Sequence, residues 1–351
     1  MLYYLLGTSL KMLSRIQDHF ILIDKCAGQT RIAEIQDRIL TKYICWPDSS
    51  PPIIGNIYKA DIIKKLNGGV VRAKTKDQLV LTVRGVPKDI KSNSKIDVII
   101  TSEQYDDKPV QAKILLYEIS NYIELSNIQR IIHLFFTKNL PIVEDYHAIY
   151  WNILDLDKIF LNALNSRVEI KDGGVLWIEK TKTATLIDID THNLLLDSDE
   201  ANLEFSKKVF IKCIEEIKLR NIGGMIIIDF PRFSFESKKK LHEYILNKGK
   251  EYFYDGSFLG FSRLQLYELY IPRNFPPLER FYINEEEFEF QNHLRSLWRK
   301  SKENKSQNNI QFICGKNLYK KIKEQKLPPF IKIIERLDLP NNYGELMEMS
   351  K

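Results

Sequence analysis

The sequence predicts an α+β protein: an N-terminal part resembling a β-barrel of the OB type, then an α/β part built on a strand–helix–strand core. Three observations carry this reading. Short β-type runs separated by turn residues recur between residues 20 and 115, the spacing of a small barrel or sandwich. Near residue 116 the pattern changes to helical spacing. Further on, two apolar strands that each end in an aspartate flank an amphipathic helix.

In chain order, Phe20–Ile23, Arg31–Ile35 and Ile39–Ile44 read as strands, with Gly28 and Gln36–Asp37 as turns. Residues 46–52 (WPDSSPP) read as a loop. Further strands follow at Ile57–Ile63, Val70–Lys74, Leu79–Val83, Ile96–Ile100 and Val110–Leu115. Ile119–Leu140 and Tyr146–Asn165 read as helices. Gly173–Gly174 make a turn into Val175–Glu179, and Thr183–Asp190 forms the next strand. Asn202–Leu219 is an amphipathic helix, with Val209, Cys213 and Ile217 on its apolar stripe. After Gly223–Gly224, Met225–Phe230 reads as a continuous apolar strand, hence a buried and parallel partner of 183–190. Ser234 is placed to cap the next helix, and Leu264–Ile271 closes the region as a strand. The expected organisation is an extension (1–17), an OB-like domain (18–116), an α/β domain (117–290) and a basic helical C-terminal region (291–351).

Charge and composition bound the function. The net charge of +6 permits a nucleic-acid partner without requiring one. Basic residues cluster late in the chain, from Arg299 and Lys300 to Lys326. The four cysteines form no Cys-x-x-Cys pair, so a structural zinc and a disulfide framework are not expected. They suit a reducing compartment, and a cytoplasmic location is the expectation. No stretch approaches eighteen apolar residues, so no membrane span is expected. The sequence leaves a homo-oligomer open.

Asp188 and Asp229 each end an apolar strand, TATLID (183–188) and MIIID (225–229). In open α/β sheets the ends of strands face the ligand crevice. Two carboxylates from neighbouring strand ends can share one hard cation, and Mg²⁺ takes one or two carboxylates together with water and phosphate oxygens. Either aspartate could equally cap its own turn. Asp190 lies two residues beyond Asp188 and faces the same side of an extended strand. His192, near Asp190, is a lesser candidate for a general base.

Three runs in order, GGVLWIEKTKTATLIDIDT (173–191), NLE (202–204) and LRNIGGMIIIDF (219–230), resemble the catalytic core of the ribonuclease E/G family. GFSRLQLYEL (260–269) is similar to a later segment of that family, with Gln265 where the family has Gly. Residues 140–275 carry the resemblance well. A weaker one, through AGQTRIAEI (27–35) and GNIYKADI (55–62), extends it towards the family's OB-type part. The resemblance implies an endoribonuclease that cleaves single-stranded RNA by Mg²⁺-dependent hydrolysis, in RNA processing or decay. It implies Asp188 and Asp229 as metal ligands and Asp190 as the third catalytic position, where the family has Asn. Arg220 and Arg263 match family arginines and imply phosphate contact. Tyr58, Lys59, Arg72, Lys74 and Lys108 are candidates to line the RNA-binding face of the barrel, since positive charge beside an aromatic suits single strands. The family's long insert with its Arg-Thr pocket for a 5′-monophosphate has no counterpart, so indifference to the 5′ end is expected. A zinc-linked dimer of the kind the resemblance would imply has no cysteine pair to form it and is not expected. Two other readings stay open: an RNA-binding protein of this fold with impaired catalysis, and a structural partner in an RNA-processing assembly.

Overall fold

The computed structural model describes residues 18–348, apart from 105–108, 116–123, 146–147, 172, 192–193, 195–196, 233, 274–275, 282–283, 304–309, 326 and 328–330. The extension at 1–17, Lys108 and His192 lie outside the described residues.

Three strands, β1 (His19–Cys26), β2 (Gln29–Gln36) and β3 (Ile39–Pro47), form an antiparallel meander. Two-residue turns join them. The first has positive φ at Ala27 and Gly28, the second at Asp37 and Arg38, the geometry that matches the twist of the strands. These strands were expected to belong to the barrel. Instead they make a separate four-stranded sheet, in which β9 (Ile142–Glu144) runs parallel to β1. The reason lies in two-sided burial. Ile21, Ile23, Ile32 and Ile44 pack towards the barrel, while Phe20, Leu22, Ala33, Ile35 and Tyr43 pack on Trp151, Leu156 and Phe160. A strand covered on both faces reads as a continuous apolar run, here FILI.

The barrel itself is closed by five strands: β4 (Ile57–Lys65), β5 (Val71–Thr75), β6 (Val80–Arg84), β7 (Lys95–Ser102) and β8 (Val110–Ile114). Ala60, Ile62, Ala73, Leu81, Val98 and Ala112 fill its interior. Helix α1 (Asn127–Phe135) packs Ile131 on the same core, and its start is fixed by a capping box between Ser126 and Gln129. This helix is the part of the expected 119–140 helix that falls within the described residues and is helical. The expected helix at 146–165 is instead two short ones, α2 (Ile149–Ile153) and α3 (Leu156–Asn162), broken at Asp155 with φ of 51°.

Buried charge locks the first sheet to α3. Arg31 is fully buried, gives two hydrogen bonds to Asp24 (2.8 and 2.6 Å) and one to Asp157 (2.8 Å), and lies 3.8 Å from the Trp151 ring centroid. Arg299 also reaches Asp24, at 3.1 Å, so one member of the late basic cluster is part of this network.

The expected strand–helix–strand unit is present. In the six-stranded sheet of order β10-β11-β12-β13-β15-β14, β12 (Ala184–Asp190) and β13 (Gly224–Asp229) run parallel, joined by α4 (Asp199–Leu219). β10 (Arg167–Glu169) and β11 (Val175–Lys180) complete one side, β14 (Ser257–Phe261) and β15 (Tyr267–Ile271) the other, all antiparallel. Helix α4 and the next helix, α5 (Phe235–Tyr252), cover one face only, through Val209, Phe210, Cys213, Leu241 and Ile245. The β12–β13 pair was expected to be buried on both faces. Leu186 and Met225 are exposed instead, because α4 and α5 pack on the other face of the sheet.

The C-terminal region, expected to be helical, is mixed. Helix α6 (Glu285–Glu303) is followed by β16 (Ile310–Cys314), α7 (Lys316–Lys323), β17 (Ile331–Glu335) and β18 (Gly344–Glu348), with strand order β17-β16-β18. These strands are only five residues long and alternate inward and outward positions, and Ile310, Phe312 and Cys314 of β16 turn inward into a small core of their own. All four cysteines are buried. Among the described residues, no helix is long and apolar enough to cross a membrane.

Candidate functional site

Asp188 and Asp229 are direct register partners across the parallel β12–β13 pair. Neighbouring strands lie about 4.8 Å apart, so the two carboxylates leave the same face side by side. Both are exposed, and they point to the face that the helices leave open. The local sequence enforces this. In ATLID and IIID the isoleucines Ile187 and Ile228, next to the aspartates, are buried under the helices, so alternation turns each aspartate outward. The Gly173–Gly174 turn that feeds β11 allows close packing against β12. Gly174 has φ of +87°, and a Cβ there would sit 2.9 Å from the Asp190 carbonyl oxygen.

The electrostatics fit a pair built for a cation. Partial burial and then the charge of Asp188 push the Asp229 carboxyl above its ordinary range, and the guanidinium of Arg232 opposes them. Sequence reasoning missed Arg232, which is exposed three residues past Asp229 and carried no motif signal. Asp190 is half-buried on the same face as Asp188, in register with Val175 on β11. Glu268, half-buried on β15, stands opposite Ile227 on this open face as well. No three-member cluster of His, Cys, Asp or Glu placed to hold a metal ion occurs among the described residues. Two adjacent carboxylates meet the modest protein-ligand demand of Mg²⁺, which keeps several water ligands.

The expected arginines separate. Arg263 is exposed in the β14–β15 turn, at the same sheet end as Asp229, since Tyr267 pairs with Ile228. That turn is held by a Lys238–Gln265 hydrogen bond and, just beyond it, by the buried Tyr267, whose hydroxyl lies 3.0 Å from His242 Nδ1. Gln265 has φ of 73°, which explains why glycine is natural at that point. Arg220 goes elsewhere, which corrects its expected contact with phosphate near the cut. It caps the C-terminus of α4, is buried, pairs with Glu216 at 2.8 Å and donates to the Asn165 carbonyl at 2.7 Å. The whole of β13 separates it from Asp229, about 16 Å at the usual strand rise. A cavity of about 200 Å³ lies beside it, lined also by Lys180, Arg273, Arg280, Glu103 and Glu279.

On the barrel, Lys59, Arg72 and Lys74 lie on the outer face of β4 and β5, and Arg72 donates to Thr82 Oγ1. Tyr58 does not join them. Adjacent residues of a strand face opposite sides, and Tyr58 packs against the hydrophobic core.

The ribonuclease E/G family model matches residues 91–273, just over half of the chain. Ribonuclease G of Salmonella typhimurium is 32% identical over 149 residues, 40% of this chain and 29% of that protein. Ribonuclease G of Escherichia coli is 32% identical over 145 residues, 38% of this chain and 28% of the relative. Ribonuclease E of Synechocystis is 36% identical over 93 residues, 24% of this chain and 14% of the relative. The chain thus aligns to less than a third of the length of these relatives. The matched stretch takes in β12, α4 and β13 with both aspartates at their strand ends. The chain belongs to the ribonuclease E/G family.

Proposed function

We propose that this chain is an endoribonuclease that hydrolyses single-stranded RNA with Mg²⁺, leaving 5′-phosphate and 3′-hydroxyl ends, in RNA processing or decay. The observation that carries the reading is the register of Asp188 and Asp229. Two neighbouring exposed carboxylates repel, the charge of Asp188 adding to the burial that raises Asp229, and a hard divalent cation would relieve that cost. Asp188 and Asp229 would hold the Mg²⁺, which when bound supplies an acidified water and stabilises charge on the phosphate. Asp190, on the same face, is placed to orient water beside the pair. The exposed guanidiniums of Arg232 and Arg263 flank the same sheet end and are placed to take RNA phosphates. Lys59, Arg72 and Lys74 would hold the strand on the barrel, away from the reacting phosphate.

A specific feature favours the second reading, a binder with impaired turnover. Asp190 brings a third acceptor where the family has a residue that also donates. One assay decides. A labelled single-stranded RNA is incubated with the protein in Mg²⁺ and in EDTA, and the product ends are typed. Cleavage only with Mg²⁺, giving 5′-phosphates, supports hydrolysis. Binding without cleavage supports the second reading.

A further inference from the structure

The open face of the catalytic sheet carries one cross-strand row that runs from its β10 edge to the centre: Arg167, Trp177, Asp188, Asp229. Register partners share a face, so all four project to the same side. The opposite row confirms the parity, since Val168, Leu176 and Ile189 belong to the core under the helices. Trp177 is therefore a half-buried indole directly beside Asp188, about 4.8 Å away strand to strand, and Arg167 lies one strand further out, about 10 Å from Asp188. Among the described residues the Arg167 guanidinium pairs with Glu169, in an exposed contact (2.6 Å) of the kind that contributes little and exchanges readily.

We propose that Trp177 and Arg167 form a nucleobase subsite: the indole stacks on the base next to the phosphate held at the aspartates, and the guanidinium takes the neighbouring phosphate. The proposal rests on the reading of Asp188 and Asp229 as the cleavage centre. An indole offers a flat π-face that any base can use, so the subsite positions RNA without demanding a sequence. The row sets an indole between two sites for phosphate, so a base turned aside from the backbone can stack there while the phosphates flanking it are held on either side.

The test is an abasic walk. Single-stranded RNA oligomers, each with one base removed, are compared for cleavage in Mg²⁺ and for binding in EDTA, using the full chain. For the wild-type protein, one position next to the cut should lose about tenfold in affinity, the stacking contribution of one base. Trp177→Ala should lose about tenfold on intact RNA and be indifferent to the abasic site at that position. Trp177→Phe should keep most of the wild-type sensitivity and guards against a folding defect, which melting curves of each variant also read. Arg167→Ala should lower the slope of log affinity against log salt by about 0.7, one phosphate contact on a single strand. A Trp177→Ala protein that stays sensitive at the same abasic position, or that weakens equally on every oligomer, overturns the subsite. If the wild-type protein binds but never cleaves, the cleavage reading fails, and the binding walk alone still decides the subsite.

Discussion

Replacing Asp188 with Asn should change stability in opposite directions with and without Mg²⁺. The two carboxylates stand opposite one another on neighbouring strands. At about 5 Å, like charges repel by just under 1 kcal/mol in bulk water and by about 3 kcal/mol at an effective dielectric constant of 20. Both groups are exposed, so screening holds the value near the lower figure, about 1 kcal/mol. In EDTA, Asp188→Asn removes that repulsion and should melt slightly above wild type. Added Mg²⁺ reverses the order. At a hundred times its dissociation constant, a ligand stabilises the folded state by about 2.7 kcal/mol, and only the intact pair binds it well. Thermal melts of both proteins across a Mg²⁺ series at constant ionic strength should therefore cross. An Mg²⁺-induced rise in the Asn variant equal to that of wild type would refute the shared-cation argument.

The other predictions separate structure from function. Arg220→Ala should destabilise the fold by about 1–3 kcal/mol by taking from the buried Glu216 one of its two cationic partners, Lys212 at 2.9 Å being the other, while Arg263→Ala should leave the melting point within experimental scatter and weaken RNA cleavage; the reverse pattern would show the two roles to be interchanged. Arg31→Met should also cost about 3–5 kcal/mol in denaturant unfolding, since Asp24 and Asp157 lose their fully buried partner, and an unfolding midpoint equal to that of wild type would contradict the network. Burial alone would raise the Glu34 carboxyl, but Lys42 and the two Thr137 donors outweigh it and hold the group at about 2 against an ordinary 4.5. A depressed carboxylate contributes stability that is complete above about pH 4.5 and lost as pH falls towards 2, here on the order of 3 kcal/mol. Glu34→Gln should flatten that acid limb of a pH–stability profile, and an unchanged slope would remove Glu34 as its source.

Periodicity and motif made the strand–helix–strand unit legible from sequence. The 3.6-residue stripe of 202–219 and the apolar strands on either side specified β12, α4 and β13, with the helix beginning three residues earlier than expected, and the two aspartates were picked out. What the sequence withheld was partnership. MIII reads as a strand buried twice, yet Met225 faces outward, because a parallel pair can be covered on one side only when its sheet has antiparallel neighbours. Conversely, β1–β3 were read as barrel strands because local alternation does not record which sheet a strand joins. The Asp24–Arg31–Asp157 network spans 126 residues between Arg31 and Asp157, beyond any local pattern. Arg220 matched a motif but serves the helix end, since a motif position carries residue type and not the direction a side chain takes. Trp177 drew no notice until register placed it beside Asp188.

If Asp188 and Asp229 together hold the Mg²⁺ used for hydrolysis, cleavage needs both carboxylates while RNA binding needs neither. The most direct measurement compares wild type, Asp188→Asn, Asp229→Asn and the double variant on one labelled single-stranded RNA at saturating Mg²⁺, with binding of the same RNA measured alongside. The account predicts that each substitution abolishes cleavage and leaves RNA affinity largely unchanged, because the barrel face and the exposed arginines are intact. A double variant that cleaves at the wild-type rate would contradict it.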